Sequence, residues 1–247
     1  MMDAFDFDQY VDEAKMIRHC APVFFIPSLD SKPSEIVANG TIALVDTGER
    51  LVLVTCHHVL TGFHEYKQQV GRGCLCTVFD GYVRRPIFLD ENAPIDADQR
   101  LDLAVFPAAP QAWPMGRKEF YRVERWPIPK AKVGDPITFV GFPGKARVTT
   151  DELGNFQYSA FGLTVSAVSE RKFVITGKGP NRGILRDNGG NIVPPMALGG
   201  MSGSPAYVRD RRAGFQLAGF VQMGNTSSDD LFFTSASFLN RNGTLRR

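Results

Sequence analysis

The sequence predicts an all-β protein built from many short strands. Its 247 residues include 24 glycines and 16 prolines, more than the ordinary combined usage of roughly 12%. The apolar runs have the length of strands, are rich in β-branched residues and are separated by links that contain glycine or proline. This pattern is typical of β-sandwiches and barrels. An apolar fraction of 43% supports the core of one large domain or of two compact halves.

Strands are predicted wherever an apolar, β-branched run is bounded by turn residues. The clearest pair is 41–45 and 51–55, because a short polar link that contains Gly48 joins the two runs and predicts a hairpin. Further strands are predicted at 74–79, 85–89, 101–106, 136–141, 162–169, 172–176, 205–209 and 215–223. One helix is predicted, a short amphipathic one over residues 5–19.

The stretch 113–132 is the best linker candidate, because it contains Pro114, Pro127 and Pro129. It divides the strands into two halves, each within the ordinary size of a small domain. The sequence has no repeat of solenoid period.

Charge and hydropathy disfavour two classes of partner, although the small net charge leaves a local basic patch open. The net charge of +2 is small for a protein that holds phosphate backbones. The apolar runs are far shorter than the roughly 20 residues of a membrane helix. The first residues are acidic, with Asp3, Asp6 and Asp8, where a secretory signal is basic and then apolar. We therefore expect a cytoplasmic protein with neither a nucleic-acid nor a membrane partner.

The four cysteines, Cys20, Cys56, Cys74 and Cys76, are expected to be reduced, small buried residues. A zinc site made of Cys56, His57, Cys74 and Cys76 is disfavoured, because Cys-x-Cys is shorter than the common Cys-x₂-Cys spacing. No metal and no cofactor is predicted.

A glycine-rich loop at 199–205 contains a candidate nucleophile. Ser202 lies between Gly200 and Gly203, just before a predicted strand. Glycines allow backbone N–H groups to converge on a developing oxyanion, while the serine hydroxyl needs a neighbouring base. The same composition is common in ordinary turns, so this loop alone leaves both interpretations open.

Histidines and one aspartate supply candidates for the base and its orienting acid. Of the four histidines, His19 falls in the predicted helix, whereas His57, His58 and His64 follow the strand 51–55. Asp102 lies in the apolar run 101–106, where burying a carboxylate is costly unless it is paired. An imidazole N–H is a natural partner for it.

Five segments, taken in order, resemble those of trypsin-like (chymotrypsin-fold) serine peptidases. They are the histidine segment 46–59, the aspartate segment 102–105, the opening strand of the second barrel at 132–144, the serine loop 200–205 and the strand 218–221 that follows it. Counting from Thr55 in the family pattern Thr-x-x-His-Val selects His58 ahead of His57 and His64.

The resemblance implies a compact, bacterial-type member with two six-stranded antiparallel barrels. It divides the chain into a helical extension at 1–21, a first barrel at 22–125 with His58 and Asp102, and a second barrel at 126–247 with Ser202.

The resemblance also implies a role for each site residue. Ser202 attacks the peptide carbonyl, His58 acts as base and then as acid, and Asp102 orients His58. The N–H groups of Gly200 and Ser202 form the oxyanion hole. Many secreted relatives have an aspartate at the position of Met201, where it pairs with a newly cut N-terminus, so activation by trimming is not expected here.

Four residues match the substrate pocket of the family: Met196, Gln222, Met223 and Gly224. None is charged, which favours a small or apolar residue before the cleaved bond. The family often has a small hydroxyl residue at the position of Gln222, so the support of Asp102 is left open.

The function implied is that of a serine endopeptidase, independent of any cofactor, that acts on proteins or peptides. The alternative is a catalytically silent relative that binds peptides or serves as a scaffold. The N-terminal segment is a possible site for a regulatory partner protein. The strand–turn–helix motif Gly-x-Ser-x-Gly of α/β hydrolases is absent from the sequence.

Overall fold

A computed structural model gives the architecture. It describes residues 15–28, 30–37, 39–79, 86–89, 93–108, 118–144, 147–150, 154–156, 158–176, 186–187, 199–210, 214–225 and 230–247. Most of the predicted helix 5–19 lies outside the described residues, and Ile17–His19 at its end form one turn of 3-10 helix. None of the described helices combines the length and the apolar character that crossing a membrane requires.

The first half of the chain forms one curled, largely antiparallel sheet. Its strands are β1 (Cys20–Ile26), β2 (Asn39–Asp46), β3 (Leu51–Thr55), β4 (Cys74–Thr77), β5 (Ile87–Phe88), β6 (Asp96–Asp98), β7 (Leu103–Pro107) and β8 (Tyr121–Arg122). The spatial order is β5-β4-β1-β2-β3-β7-β6, and β8 pairs with β2 in parallel.

The helix α1 (His57–Val70) begins one residue after the end of β3 and is not among the elements that the sequence predicts. Val59, Leu60 and Phe63 pack on the apolar residues of the first sheet, at spacings that place them on one face of a helix. Gly71 ends the helix in a left-handed conformation, with φ 75, and its N–H bonds to the Lys67 carbonyl.

The second half forms another curled antiparallel sheet. Its strands are β9 (Pro136–Gly141), β12 (Ser159–Thr164), β13 (Ala167–Val168), β14 (Lys172–Thr176), β15 (Arg186–Asp187), β16 (Pro205–Asp210), β17 (Gly214–Asn225) and β18 (Asp230–Ser235). The spatial order is β13-β14-β18-β17-β16-β9-β12-β15. Between β9 and β12 the chain forms a separate ribbon of β10 (Arg147–Thr149) and β11 (Gly154–Phe156).

The structure confirms the all-β prediction with two curled sheets. Each sheet has eight strands among the described residues rather than the expected six, because each sheet includes strands of only two or three residues, such as β5, β8, β13 and β15. The strand expected at 101–106 begins at Leu103 instead, because a turn precedes it.

The two sheets meet in a shared apolar core. One cluster of buried residues contains Phe24 and Val54 from the first sheet together with Val140, Tyr207 and Phe220 from the second. Burial of apolar area drives this association. It brings the end of β3 and the start of α1 next to the loop that precedes β16.

Candidate active site

Side chains from three separate segments form one hydrogen-bonded chain at the seam between the sheets. The Nε2 atom of His58 lies 2.9 Å from Ser202 Oγ. Its Nδ1 atom lies 2.8 Å from Asp102 Oδ2, and its backbone N–H donates to Asp102 Oδ1 at 2.9 Å. The carboxylate therefore fixes both the ring and the backbone of His58.

The start of α1 determines which histidine faces this site. His58 is the second residue of the helix, with a side chain 47% exposed. His57 lies one helical step away and its Nδ1 atom is 3.2 Å from Thr61 Oγ1. His64 is exposed further along the helix, beside the ring of Phe63. Of these three, His58 alone contacts Ser202 and Asp102.

A tight turn, not a strand, presents Asp102. The Oδ1 atom of Asp98 accepts the N–H groups of Arg100 at 2.8 Å and Leu101 at 2.9 Å, and Asp102 N–H bonds to the Gln99 carbonyl at 3.3 Å. Asp102 has φ 54, the one positive value among the described non-glycine residues. A left-handed residue cannot continue a strand, so the strand expected to include Asp102 was wrong at this end.

Two buried side chains of the second sheet hold the peptide just before Asp102. The Leu101 carbonyl accepts Gln222 Nε2 at 3.0 Å and Thr234 Oγ1 at 2.6 Å. The pairing of β17 with β18 shifts between Val221 and Met223, which leaves Gln222 on a bulge. Gln222 is only 3% exposed, and its amide supports the Asp102 turn through the bond to Leu101.

Cys56 lies underneath the site and is fully buried. Its thiol donates to the Val221 carbonyl at 3.0 Å. Burial raises the pKa of this thiol well above its ordinary value, and the charge of Asp102 adds to the effect. Cys56 is therefore a neutral thiol that links the histidine segment to β17.

The donor atoms of Cys56, His58 and Asp102 lie within 4.8 Å of one another, the spacing that a metal set needs. However, His58 and Asp102 already bond to each other through those atoms, and a neutral thiol is a poor metal ligand. Cys74 and Cys76 lie in β4 and are not part of this group. No disulfide joins any of the four cysteines, all of which the structure describes.

Glycines give the serine loop a shape that other residues would not adopt. Gly200 has φ 96 and Gly203 has φ 90, and a Cβ at Gly203 would lie 2.1 Å from the Thr41 carbonyl. Among the described residues, nothing accepts a hydrogen bond from the N–H of Gly200 or of Ser202.

Of the comparisons with known proteins, only the one with solved structures gives matches. No protein-family model and no curated protein matches the sequence. Among solved structures, the thermostable serine protease AL20 from an extremophilic microorganism has a TM-score of 0.50 at 13% identity, over 88% of this chain and 91% of that one. The chain has a trypsin-like, chymotrypsin-type fold. A Glu endopeptidase in complex with MPD has a TM-score of 0.48 at 14% identity, over 87% of this chain and 84% of that one.

The Ser202 hydroxyl has two acceptors within reach in this chymotrypsin-type fold. Besides His58 Nε2, the Gln222 carbonyl lies 2.9 Å from Ser202 Oγ. A hydroxyl carries one proton, so it donates to His58 when Nε2 is unprotonated and to Gln222 when Nε2 carries its own proton. Ser202 therefore has a second hydrogen-bond acceptor on β17 besides the imidazole of His58.

The neighbouring serine, Ser204, is placed differently. It is fully buried, and its Oγ donates to Met201 Sδ at 3.9 Å. It is therefore not presented at the surface of the site as Ser202 is.

Of the four residues expected to form the substrate pocket, the structure describes Gln222, Met223 and Gly224. Met196 lies outside the described residues. Met223 and Gly224 follow Gln222 on β17, where the backbone is described. Met201, which precedes the serine, is buried in the core of the second sheet.

The sequence analysis predicts neither the role of Thr234 nor the turn at Asp98. A threonine in an apolar strand carries no signal that separates a hydrogen-bond donor from a packing residue. The Asp98 turn does carry a signal, because an aspartate side chain often accepts hydrogen bonds from backbone N–H groups two or three residues further along the chain and so forms a turn.

Proposed function

We propose that this chain is a serine endopeptidase that cleaves peptide bonds through an acyl-enzyme, with His58, Asp102 and Ser202 as its catalytic residues. The observation that supports it best is the His58 ring, which lies 2.9 Å from Ser202 Oγ on one side and 2.8 Å from Asp102 Oδ2 on the other. The chymotrypsin-type fold is consistent with this chemistry, although fold alone does not imply function.

Acylation begins when Ser202 Oγ attacks the carbonyl carbon and gives its proton to His58 Nε2. The carbonyl oxygen becomes an oxyanion that accepts the N–H groups of Gly200 and Ser202. Each such donor lowers a barrier of this kind by about 2.7–4 kcal/mol. When the C–N bond breaks, His58 gives its proton to the leaving amine and an ester of Ser202 remains.

Deacylation repeats these steps with water as the nucleophile. His58 Nε2 takes a proton from the water as its oxygen attacks the ester carbonyl. The second tetrahedral intermediate collapses, the bond to Ser202 Oγ breaks, and His58 returns the proton to Ser202. Asp102 keeps a hydrogen on Nδ1, so that Nε2 is free to accept, and stabilises the imidazolium form.

We further propose that the substrate residue before the cleaved bond is small or apolar. The resemblance assigns this pocket to Met196, Gln222, Met223 and Gly224, and none of these residue types supplies a counter-ion for lysine or arginine. The Gln222 amide contributes nothing to the pocket because it bonds to Leu101.

Digestion of denatured casein and of a mixed peptide library tests the proposal. The wild type is expected to cut with a preference for small or apolar residues, Ser202→Ala is expected to be inactive, and Ser169→Ala, at an exposed turn, to match the wild type. A wild type that binds the library peptides without cutting them would identify the chain as a silent peptide-binding relative. A sharp preference for lysine or arginine would contradict the pocket proposal alone.

A further inference from the structure

Thr41 of the first sheet reaches across the seam into the serine loop of the second. It is fully buried in β2. Its Oγ1 donates to the Gly200 carbonyl at 2.9 Å and accepts the Phe142 N–H at 3.0 Å. Its own N–H donates to the Ser202 carbonyl at 2.8 Å. One side chain thus joins the serine loop to the segment that follows β9.

The orientation of two peptide planes decides where the candidate oxyanion donors point. In a trans peptide the C=O and N–H bonds point in opposite directions. The Gly199 carbonyl accepts the Gly144 N–H at 2.6 Å, so the Gly200 N–H of the same peptide points away from Gly144. The Met201 carbonyl accepts the Ser204 N–H at 2.9 Å, which turns the Ser202 N–H away from Ser204.

The orientation of these peptides is most easily changed at Gly200. It has φ 96, and a glycine can rotate its flanking peptides at little steric cost. The bond from Gly144 fixes the peptide before Gly200, and the Thr41 hydroxyl fixes the peptide after it. Rotation of either peptide breaks one of these hydrogen bonds.

We propose that Thr41 is a positioning residue for the oxyanion hole, because its hydroxyl holds the serine loop in the form that points the Gly200 N–H at the substrate. The inference rests on the proposed function and extends it to a residue outside the serine loop. The hydrogen bonds from Thr41 to the serine loop join neutral groups, and the buried Met201 in that loop carries no charge. The loop is therefore held without an ion pair at position 201.

A fluorophosphonate probe tests the inference, because its phosphoryl oxygen takes the place of the oxyanion. In the reaction Ser202 Oγ forms a bond to phosphorus, fluoride leaves, and His58 takes the serine proton. Saturation kinetics separate the binding constant KI from the rate constant kinact. Thr41→Val removes the hydroxyl at nearly constant shape, and Thr41→Ser restores it. Thr77→Val is the matched control, because buried Thr77 donates to the Pro22 carbonyl at 2.7 Å within the first sheet.

Thr41→Val is expected to lower kinact by about tenfold to a hundredfold, with KI within about twofold of the wild type. This loss is smaller than the roughly 10²–10³-fold loss of rate that removal of an oxyanion donor causes. Thr41→Ser is expected to stay near the wild type, and Thr77→Val to change Tm without changing kinact. Thr41→Ser and Thr41→Ala, which differ only in the hydroxyl, give the same comparison should the valine variant not fold.

Equal kinact for Thr41→Val and the wild type would overturn the inference, and so would a Thr41→Ser variant as slow as the valine or alanine variant. A wild type that does not react with the probe would instead overturn the proposed function itself. The two failures are therefore distinguishable in one set of measurements.

Discussion

Thr234 Oγ1 donates a hydrogen bond of 2.6 Å to the carbonyl of Leu101, 133 residues away in the sequence. The bond connects β18 of the second sheet to the turn that presents Asp102 in the first. Gln222 Nε2 donates to the same carbonyl at 3.0 Å. Because Asp102 is held at φ 54, which is unfavourable for a non-glycine residue, the turn depends on such contacts.

The two donors to Leu101 are expected to substitute for each other in part. Thr234→Val or Gln222→Met alone leaves the carbonyl one partner, and each should lower the free energy of unfolding by less than about 1 kcal/mol from this effect. The double variant leaves a buried carbonyl unpaired and should lose roughly 1–3 kcal/mol more than the singles predict. Urea unfolding of the four proteins measures the coupling.

The serine variant Thr234→Ser, which keeps the donor, is the control for this cycle. It should preserve the coupling with Gln222. Strictly additive losses in the double variant would show that the two side chains do not share the Leu101 carbonyl.

Asp102→Asn is expected to keep the fold and lose nearly all activity. The amide leaves no negative charge to hold a hydrogen on His58 Nδ1, so the ring adopts the wrong tautomer for accepting a proton from Ser202. A loss on the order of 10⁴ in kcat is typical of this change. Casein hydrolysis measures the activity, and thermal unfolding provides the control for folding. A variant with more than about a tenth of the wild-type rate would argue against the role given to Asp102.

Cys56 is expected to resist alkylation in the native protein despite lying beside the site. It is fully buried, and burial raises the pKa of its thiol, so little reactive thiolate is present. Burial likewise raises the pKa of Cys20 to about 12. Iodoacetamide at pH 8 followed by mass mapping should modify the partly exposed Cys74 first and modify Cys56 only after unfolding. Native modification of Cys56 as fast as that of Cys74 would contradict the burial described here.

The stability of the fold is expected to fall as the pH drops below about 6.5, in part because of His19. Burial lowers the pKa of His19 from 6.5, an effect that Glu119 partly offsets and that Arg18 and Lys118 reinforce. The unfolded chain then binds a proton at a higher pH than the folded one, so acidification favours unfolding. Urea unfolding at pH 5.5 and 7.5 should show a smaller pH dependence for His19→Gln than for the wild type. An identical dependence in both proteins would rule out this contribution.

The sequence predicted those parts of the fold that carry a local signal. The bounds of three strands, Leu51–Thr55, Pro136–Gly141 and Lys172–Thr176, match the prediction, because apolar β-branched runs end there at turn residues. The strand Cys20–Ile26 was not placed, since it is buried along its whole length and lacks the alternation that marks a half-exposed strand. The helix that begins at His57 carries a weak local signal, because only three of its 14 residues, Val59, Leu60 and Phe63, are buried.

The candidate site divides in the same way. His58, Asp102 and Ser202 were chosen from their residue types, their local motifs and their order, and they lie together in the structure. Thr41 and Thr234 could not be chosen, because their partners lie 159 and 133 residues away. Only the packing of one sheet on the other brings those groups into contact.

The most direct test of the account is the position of a covalent fluorophosphonate label on the purified protein. We expect one label per chain, on the peptide that contains Ser202, with no labelling of Ser202→Ala and none after heat unfolding. A label on Ser204 or on another serine, or an unlabelled wild type that is correctly folded, would contradict the central claim that His58 makes the Ser202 hydroxyl a nucleophile.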